Sequence, residues 1–366
     1  MFTEPVYIDG NNLLVPAKVE IRKKDISRLH TWGIEFVETN GEMIHADPKA
    51  KAQAQVTSLP DVFGNSEAYR TYISIVDNMN EVCNNLTAGI SVEARYINMI
   101  SSRLLKGIRD QRSSFIGFIL GGEIKGREMA KSLINTAILS ALIAMELKQP
   151  HHKVLHIVTG ALLHDVGMLR LPKALLEKRG GLSPVELERI KSHTLHSFKI
   201  VGKEMQFPSD VGTIVLQHHE RWDGEGYPGA ISGEAIDLGA RIVSVADAFE
   251  AMISQKPYRN SMIGYQAMKN LLSDNLRRFD PNVIKAFITT LGIYPIGSII
   301  LLNNGAYARV VDVKSTAPLR PKIRILIDES GKVFRQDEGS LIDLLENKGL
   351  FITRAVDPKE IAGRDG

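Results

Sequence analysis

The sequence has a single cysteine among its 366 residues, Cys83. No internal disulfide can form, which excludes a disulfide-stabilised scaffold and fits a reducing compartment such as the cytoplasm. The first ten residues contain neither a basic nor an apolar region, so no signal peptide is predicted. These absences together predict a cytoplasmic protein.

Long apolar runs and a strong charge imbalance are also lacking. The longest apolar segment, residues 133–147, is too short to span a bilayer and contains Asn135, Thr136 and Ser140, so it is predicted to be a buried helix. The formal net charge is only +3, with no basic run, so neither a nucleic-acid polymer nor a membrane is expected as a partner. A hydrophobic content of 44% and a charged content of 24% are those of a globular protein.

The pattern along the chain predicts four regions. Residues 1–65 are predicted to form a small α/β regulatory domain that ends in a polar linker at 48–64, with strands at 6–8 and 34–37 and a helix at 24–31. Residues 66–120 lack proline and repeat apolar side chains every three or four positions, which predicts a connecting helix from about 67 to 112. This helix is most simply a core or dimer-forming helix; coupling of the N-terminal domain to the catalytic helices is the alternative.

The other two regions differ in their periodicity. Residues 121–291 are predicted to be almost wholly helical, with helix starts at Ser183-Pro184 and Asp280-Pro281. From residue 292 to 366 short strands take over, at 298–302, 308–313 and 322–327, which predicts a small β-barrel or sheet.

Eight of the ten histidines fall between His151 and His219. Some of them, with two aspartates, lie on apolar segments or at their ends, where buried imidazoles and carboxylates need a partner, most often a metal. A lone His193 would more often be an ordinary polar histidine, whereas the joint set predicts a metal site. The set comprises His164, Asp165, His193, His218, His219 and Asp247. The remaining histidines of the cluster, His151, His152, His156 and His196, lie in polar segments and are not predicted to be ligands.

The order and spacing of several motifs resemble the HD-GYP family. These motifs are His164-Asp165, His193, His218-His219, the loop from Asp223 to Gly226-Tyr227-Pro228, Asp247, and Lys256 to Arg259. The resemblance covers residues 120–291 and implies a helical-bundle phosphodiesterase that opens cyclic di-GMP to pGpG, with some members continuing to GMP. It implies two or three divalent metals, often Fe or Mn, while Zn or Ni also suit imidazole and carboxylate ligands.

The resemblance also implies roles for individual residues. The six residues of the set above match metal ligands, and Glu128 matches a further carboxylate used where a third metal binds. Asp165 and the cations Lys256 and Arg259 are the expected catalytic residues. Lys256 and Arg259 would also bind the substrate phosphate. Taken alone, this pair would be interpreted as solvated surface cations. The other implied substrate-binding residues are Asp223, Gly226, Tyr227 and Pro228. The implied reaction is attack by a metal-bound hydroxide, whose pKa the metal lowers.

Two positions depart from the family pattern. Ser132 stands where a further histidine ligand is expected, and Met168 stands where a lysine is expected. Loss of one electrostatic donor typically lowers the rate on the order of 10²-fold. The alternative is therefore a catalytically impaired protein that binds cyclic di-GMP or a partner signalling protein as an effector. Separately from the choice of function, association into a homodimer is left open. A mononucleotide phosphohydrolase is a second rival, which Gly226-Tyr227-Pro228 disfavours.

Overall fold

The computed structural model describes residues 6–8, 12–15, 37–42, 66–119, 126–178, 180–254, 264–273, 275–334 and 338–357. The chain divides into two compact units. One consists of Met1–Val56 with Val356–Gly366, and the other of Thr57–Ala355.

In the first unit, strand β1 (Val6–Ile8) pairs antiparallel with β2 (Asn12–Val15). The predicted strand at residues 6–8 is therefore confirmed. The predicted helix at 24–31, nearly all of the strand at 34–37 and the linker at 48–64 lie outside the described residues.

The second unit begins with three helices where the sequence predicts one. They are α1 (Glu67–Thr87), α2 (Ala94–Asp110) and α3 (Arg112–Ile119). The prediction of one helix from 67 to 112 is wrong because the chain turns after α1, where Gly89 takes a φ of +75° that glycine adopts without strain. The apolar face of α1 is buried in the core, as expected of a core helix.

Two long helices form the centre of this unit. Helix α4 (Glu128–Glu146) packs along α5 (His151–Leu163) and buries nearly all of its side chains. Within the described residues α4 alone is long and apolar enough to cross a membrane, yet most of it is buried inside the protein, as in an ordinary core helix. The buried helix predicted at 133–147 is thus confirmed.

Further helices surround this pair, and two of them carry His193 and Asp247. After a 3₁₀ turn at Val166–Arg170 come α6 (Lys173–Leu176), α7 (Pro184–Lys191), α8 (His193–Lys199), α9 (Ser209–Gln217), α10 (Leu238–Ile253), α11 (Gly264–Ser273), α12 (Asn275–Arg278) and α13 (Pro281–Leu291). Both predicted helix starts are confirmed. Ser183 and Glu186 form a reciprocal capping box on α7, and Asp280 caps α13.

A five-stranded sheet follows, as the C-terminal periodicity predicts. Its strands are β3 (Ile299–Leu302), β4 (Tyr307–Asp312), β5 (Lys322–Ile327), β6 (Leu341–Asp343) and β7 (Ile352–Val356). They lie in the order β6-β5-β4-β3-β7, and β3 to β6 pair antiparallel with their sequence neighbours. The sheet has an apolar core of its own, formed by residues such as Ile300, Val310 and Ile323.

Candidate metal centre

The end of α5 places the first two site residues. His164 still has helical dihedral angles, whereas Asp165 leaves them and starts the 3₁₀ turn. This turn packs directly on α8 at Gly167, where a Cβ atom would lie 2.1 Å from the His193 carbonyl oxygen. Only glycine permits that approach, so Gly167 brings Asp165 and His193 together.

Three imidazoles are oriented in the same way. In each, Nδ1 lies within hydrogen-bond distance of the carbonyl oxygen three residues earlier, which can only accept, so Nδ1 carries the proton and Nε2 is left as a ligand atom. The pairs are His164 with Ala161 (2.7 Å), His193 with Ile190 (2.8 Å) and His218 with Val215 (2.7 Å).

The Nε2 atoms converge on the Asp165 carboxylate. One oxygen lies 3.1 Å from Nε2 of His193 and 3.8 Å from Nε2 of His218, and the other lies 3.6 Å from Nε2 of His164. Asp247, on α10, approaches Nε2 of His164 at 3.5 Å. Asp165, His193, His218 and His219 each offer a ligand atom within 4.8 Å of the others.

This arrangement suits a cation. Nε2 of His193 lies 3.4 Å from Nε2 of His218, and since both rings carry their proton on Nδ1, two nitrogen lone pairs face each other. Nε2 of His164 and one Asp165 oxygen are buried without a hydrogen bond of normal geometry. Imidazole nitrogens and carboxylate oxygens are ordinary ligands of Fe, Mn, Zn and Ni. The donor set therefore fits one or more divalent ions.

Burial differs across the cluster. The side chains of His193 and His218 are 0% exposed, whereas those of Asp165 and Asp247 are 29% and 22% exposed. The histidines thus form the floor of the site, and the carboxylates form the side that a substrate can reach.

The charges of the cluster are strongly coupled. Burial lowers the pKa of His164, but the Asp165 and Asp247 carboxylates outweigh burial and raise it to about 9. Burial raises the pKa of Asp165, but the three neighbouring histidines outweigh it and hold that pKa well below its ordinary value. Burial, followed by the charge of His218, lowers the pKa of His219 well below its usual range. A divalent ion would have to displace the proton of His164, so metal binding is expected to release protons.

The loop after His219 folds back onto the cluster. The Tyr227 ring lies 4.8 Å from the His219 ring at an angle of 30°, and the Tyr227 N–H donates to the His219 carbonyl. At Gly226 a Cβ atom would lie 2.4 Å from the Arg221 nitrogen, so a side chain there would push the loop away. Asp223 accepts hydrogen bonds from Arg221 and from the Glu225 N–H, which closes the turn.

Glu220 holds this loop, a role that the sequence analysis missed. Its side chain is buried, and its two oxygens accept the N–H groups of Gly229 (2.6 Å) and Ile231 (3.2 Å). The only signal in the sequence was a glutamate placed between two predicted ligands and a breaker-rich loop.

Helix α4 carries the predicted ligand Glu128 outside the cluster. Glu128 is exposed at the first turn, where its carboxylate accepts the Gly126 N–H at 2.8 Å. One turn later, the Ser132 hydroxyl donates a hydrogen bond of 2.5 Å to one carboxylate oxygen of the fully buried Glu250. The Ser254 hydroxyl donates a hydrogen bond to the other oxygen of Glu250. Glu250, one turn after Asp247 on α10, was also missed.

The remaining predicted positions fall elsewhere. Lys256 and Arg259 lie outside the described residues, and Met168 is half-buried in the 3₁₀ turn. Of the histidines not predicted to be ligands, His151 contacts Arg109 at 2.8 Å and His156 lies 3.6 Å from Asp210. Neither belongs to the metal-ligand group found among the described residues.

Comparison with known proteins agrees with this fold. The family described as HD domain matches residues 96–283, and the KOW domain associated with HD domain matches residues 299–364. Because the first match covers more than half of the chain, the protein belongs to the HD domain family. The mainly helical fold with a small C-terminal sheet is confirmed.

Several relatives are named as cyclic di-GMP phosphodiesterases. The chain is 26% identical over 354 residues to the cyclic di-GMP phosphodiesterase PdeB of Borreliella burgdorferi, covering 97% of this chain and 92% of that protein. It is 38% identical over 151 residues to a cyclic di-GMP phosphodiesterase of Thermotoga maritima, covering 41% of each chain.

A solved structure shows the same fold. It is that of Bd1817, a HDG"Y"P protein of Bdellovibrio bacteriovorus, with a TM-score of 0.50 and 20% sequence identity. The likeness covers 78% of this chain and 93% of that one.

Proposed function

We propose that this protein is a metal-dependent phosphodiesterase that hydrolyses cyclic di-GMP to pGpG, with GMP as a further product. The relatives named above as cyclic di-GMP phosphodiesterases support this activity, and one of them is similar over nearly the whole chain. The observation that carries the proposal is the pair of Nε2 lone pairs, on His193 and His218, that face each other beside Asp165. Such a pair suits a cation, and a cation there would lie next to the accessible carboxylates.

We assign the ligand set as His164, Asp165, His193, His218, His219 and Asp247, for two or three divalent ions. Fe or Mn is the favoured metal, with Zn or Ni as the alternative. Bound divalent ions polarise a phosphoryl oxygen and neutralise the charge that develops on it. Asp165 lies between three imidazoles, and its two oxygens would serve as ligands to the bound ions. The Nδ1–H···O=C bonds keep the rings fixed before the ions arrive.

The substrate would lie against the exposed carboxylate side. Tyr227 presents a flat ring beside His219, on which a nucleotide base can pack, and Gly226 lets the loop lie close to the cluster. We assign Pro228 to the same nucleotide-side loop on the strength of the sequence motif. Asp223 braces the loop through Arg221. We assign Lys256 and Arg259 to the phosphate on the strength of the sequence motif.

We further propose that the protein acts in the cytoplasm of a bacterium. Residues 1–65 would be the regulatory part, 66–120 the connector, 121–291 the catalytic domain and 292–366 a β subdomain. A homodimer or a partner signalling protein would transmit the signal.

One observation favours a second function, binding of cyclic di-GMP or a partner protein without turnover. Ser132, where the resemblance calls for a histidine, uses its hydroxyl on the buried Glu250, and Glu128 is exposed at the start of the same helix. A ligand position would then be lost.

A product assay separates the two functions. The purified protein is loaded with Mn(II), or anaerobically with Fe(II), and incubated with cyclic di-GMP, while the EDTA-treated protein serves as the control. Formation of pGpG or GMP only in the loaded sample supports the enzyme. Tight binding of cyclic di-GMP with no product under either metal supports the binding protein and contradicts the enzyme.

A further inference from the structure

We propose that Lys191 is a substrate-binding residue that holds the phosphate of the cyclic dinucleotide that is not being cleaved. This inference rests on the proposed function and adds a residue to its site. Lys191 is the last residue of α7, two positions before His193.

The geometry links the Lys191 ammonium to the metal centre through one aromatic ring. Its Nζ atom lies 5.5 Å from the centroid of the Tyr227 ring. The same ring lies 4.8 Å from the His219 ring and 6.4 Å from the His193 ring. An ammonium within about 6 Å of an aromatic centroid is attracted to the ring, which fixes its position at this edge of the site.

The present partner of Lys191 is easily exchanged. Its Nζ atom lies 2.6 Å from a carboxylate oxygen of Glu188, whose side chain is 70% exposed. Exposed ion pairs of this kind contribute little to stability. A phosphate oxygen arriving beside Tyr227 can therefore replace the Glu188 carboxylate at small cost and form a charge-assisted hydrogen bond.

The loop that carries Tyr227 is tied to the end of α12. Burial, followed by the Asp165 and Asp247 carboxylates, raises the pKa of the Tyr227 hydroxyl, and Arg278 acts in the opposite direction. Arg278 is also held to the loop, since its carbonyl oxygen accepts the Trp222 N–H at 2.9 Å. Lys191 therefore places a positive charge at Tyr227, next to a cluster whose accessible side is formed by carboxylates.

This placement suits a ligand with two phosphodiesters. The metal centre neutralises the phosphate that reacts, and the second phosphate carries a full negative charge that must be met elsewhere. Lys191 is separated from the predicted histidine ligands by the Tyr227 ring, so its ammonium can neutralise the second phosphate without entering the metal cluster.

The test compares Lys191→Gln with Lys191→Arg and with a control, Lys173→Gln. Lys173 is likewise a helical lysine paired with an exposed glutamate, Glu177 at 3.5 Å. All proteins are loaded with Mn(II), and KM, kcat and bound Mn are measured with cyclic di-GMP. For K191Q we expect KM to rise roughly 10-fold or more, as for the loss of one charged hydrogen bond, with kcat changed less than KM and Mn content unchanged. K191R should stay within about threefold of the wild type, and K173Q should match it.

The outcomes separate this inference from the proposed function. An active wild type with the same KM in K191Q and K173Q overturns the inference and leaves the function standing. A loss of Mn in K191Q also overturns it, because Lys191 would then act by positioning His193. A wild type that neither binds nor hydrolyses cyclic di-GMP overturns the function and this inference together.

Discussion

Asp165 lies at the centre of the site, where its two oxygens approach three imidazoles on three different helical segments. The carboxylate stabilises the charged form of His164, and it is the group best placed to touch more than one ion. Its removal should therefore affect every ion in the site at once.

We predict that Asp165→Ala abolishes metal retention. Elemental analysis after dialysis measures it, and Asp210→Ala serves as the control, since Asp210 pairs with Lys153 on the surface, outside the cluster. Equal metal content in D165A and the wild type would falsify the placement of Asp165 at the centre of the site.

The buried Glu220 side chain holds the loop that carries Tyr227, and its replacement tests this role. In Glu220→Gln the amide NH₂ replaces one acceptor and faces a backbone N–H, which should cost about 1–3 kcal/mol of unfolding free energy. Tyr227 should lose its fixed position, so KM should rise while metal content stays near that of the wild type.

Glu225→Gln is the matched control for this prediction. Glu225 lies in the same loop but is exposed, with an ion pair to Arg221 at 3.4 Å. Its change should stay within about 0.5 kcal/mol. If denaturant unfolding and KM respond alike in E220Q and E225Q, then Glu220 does not hold the loop.

The sequence predicts the clustered residues well because a metal site uses rare residue types at fixed spacings. The structure brings His164, Asp165, His193, His218, His219 and Asp247 close together, although their role as ligands stays a prediction. Glu220, Glu250 and Lys191 were not predicted, since glutamates and lysines are common and only tertiary contacts reveal which of them are buried or lie at the site.

At the scale of elements, the 3₁₀ turn and α8 act as one unit. Gly167 lets the backbone of the turn reach the backbone of α8 at His193 and Ser197, and the Gly167 N–H donates to the Ser197 hydroxyl at 2.7 Å. The spacing between Asp165 and His193 therefore depends on a glycine that is not itself part of the cluster.

We predict that Gly167→Ala lowers the free energy of unfolding by about 1–3 kcal/mol and weakens metal binding, because the added Cβ must push α8 away. Thermal unfolding and elemental analysis measure the two effects. Gly202→Ala is the control, since no atom lies within 4 Å of a Cβ at that position. A G167A protein that keeps both the stability and the metal of G202A would contradict this packing argument.

Helix starts were easier to predict from the sequence than helix ends. Ser183-Pro184 and Asp280-Pro281 mark α7 and α13 correctly because caps are local interactions. The single helix predicted at 67–112 was wrong because its apolar spacing continues on either side of Gly89, and the turn there depends on packing against the core. The end of α7 is another boundary that the sequence pattern does not mark. Helix α7 ends at Lys191, and His193 begins a new helix.

For the whole molecule, the metal centre joins separate parts of the chain. It draws on the end of α5, the start of α8, the end of α9 and the middle of α10. An ion that binds the folded state alone stabilises that state by mass action, by about 2.7 kcal/mol at a hundredfold excess over Kd.

We therefore predict that EDTA lowers the Tm of the Mn-loaded protein by several degrees and that it leaves the Tm of D165A unchanged. Differential scanning calorimetry with and without chelator measures both values. The same EDTA shift in D165A and the wild type would place the stabilising ion outside this cluster.

The sequence also predicts the division into helical and β parts, since the apolar period changes near residue 292 and the five-stranded sheet begins soon after. It does not predict that α1 packs in the same core as α4, where the Tyr72 hydroxyl donates to the buried Asn135 side chain at 2.9 Å. Periodicity identifies an apolar face but not its partner.

Metal held by this cluster should be required for the hydrolysis of cyclic di-GMP. The most direct measurement is chromatographic analysis of products from cyclic di-GMP incubated with the Mn- or Fe-loaded wild type and with D165A treated in the same way. We predict pGpG or GMP from the wild type and none from D165A. Intact cyclic di-GMP in every wild-type sample, or equal product from D165A, would contradict the claim.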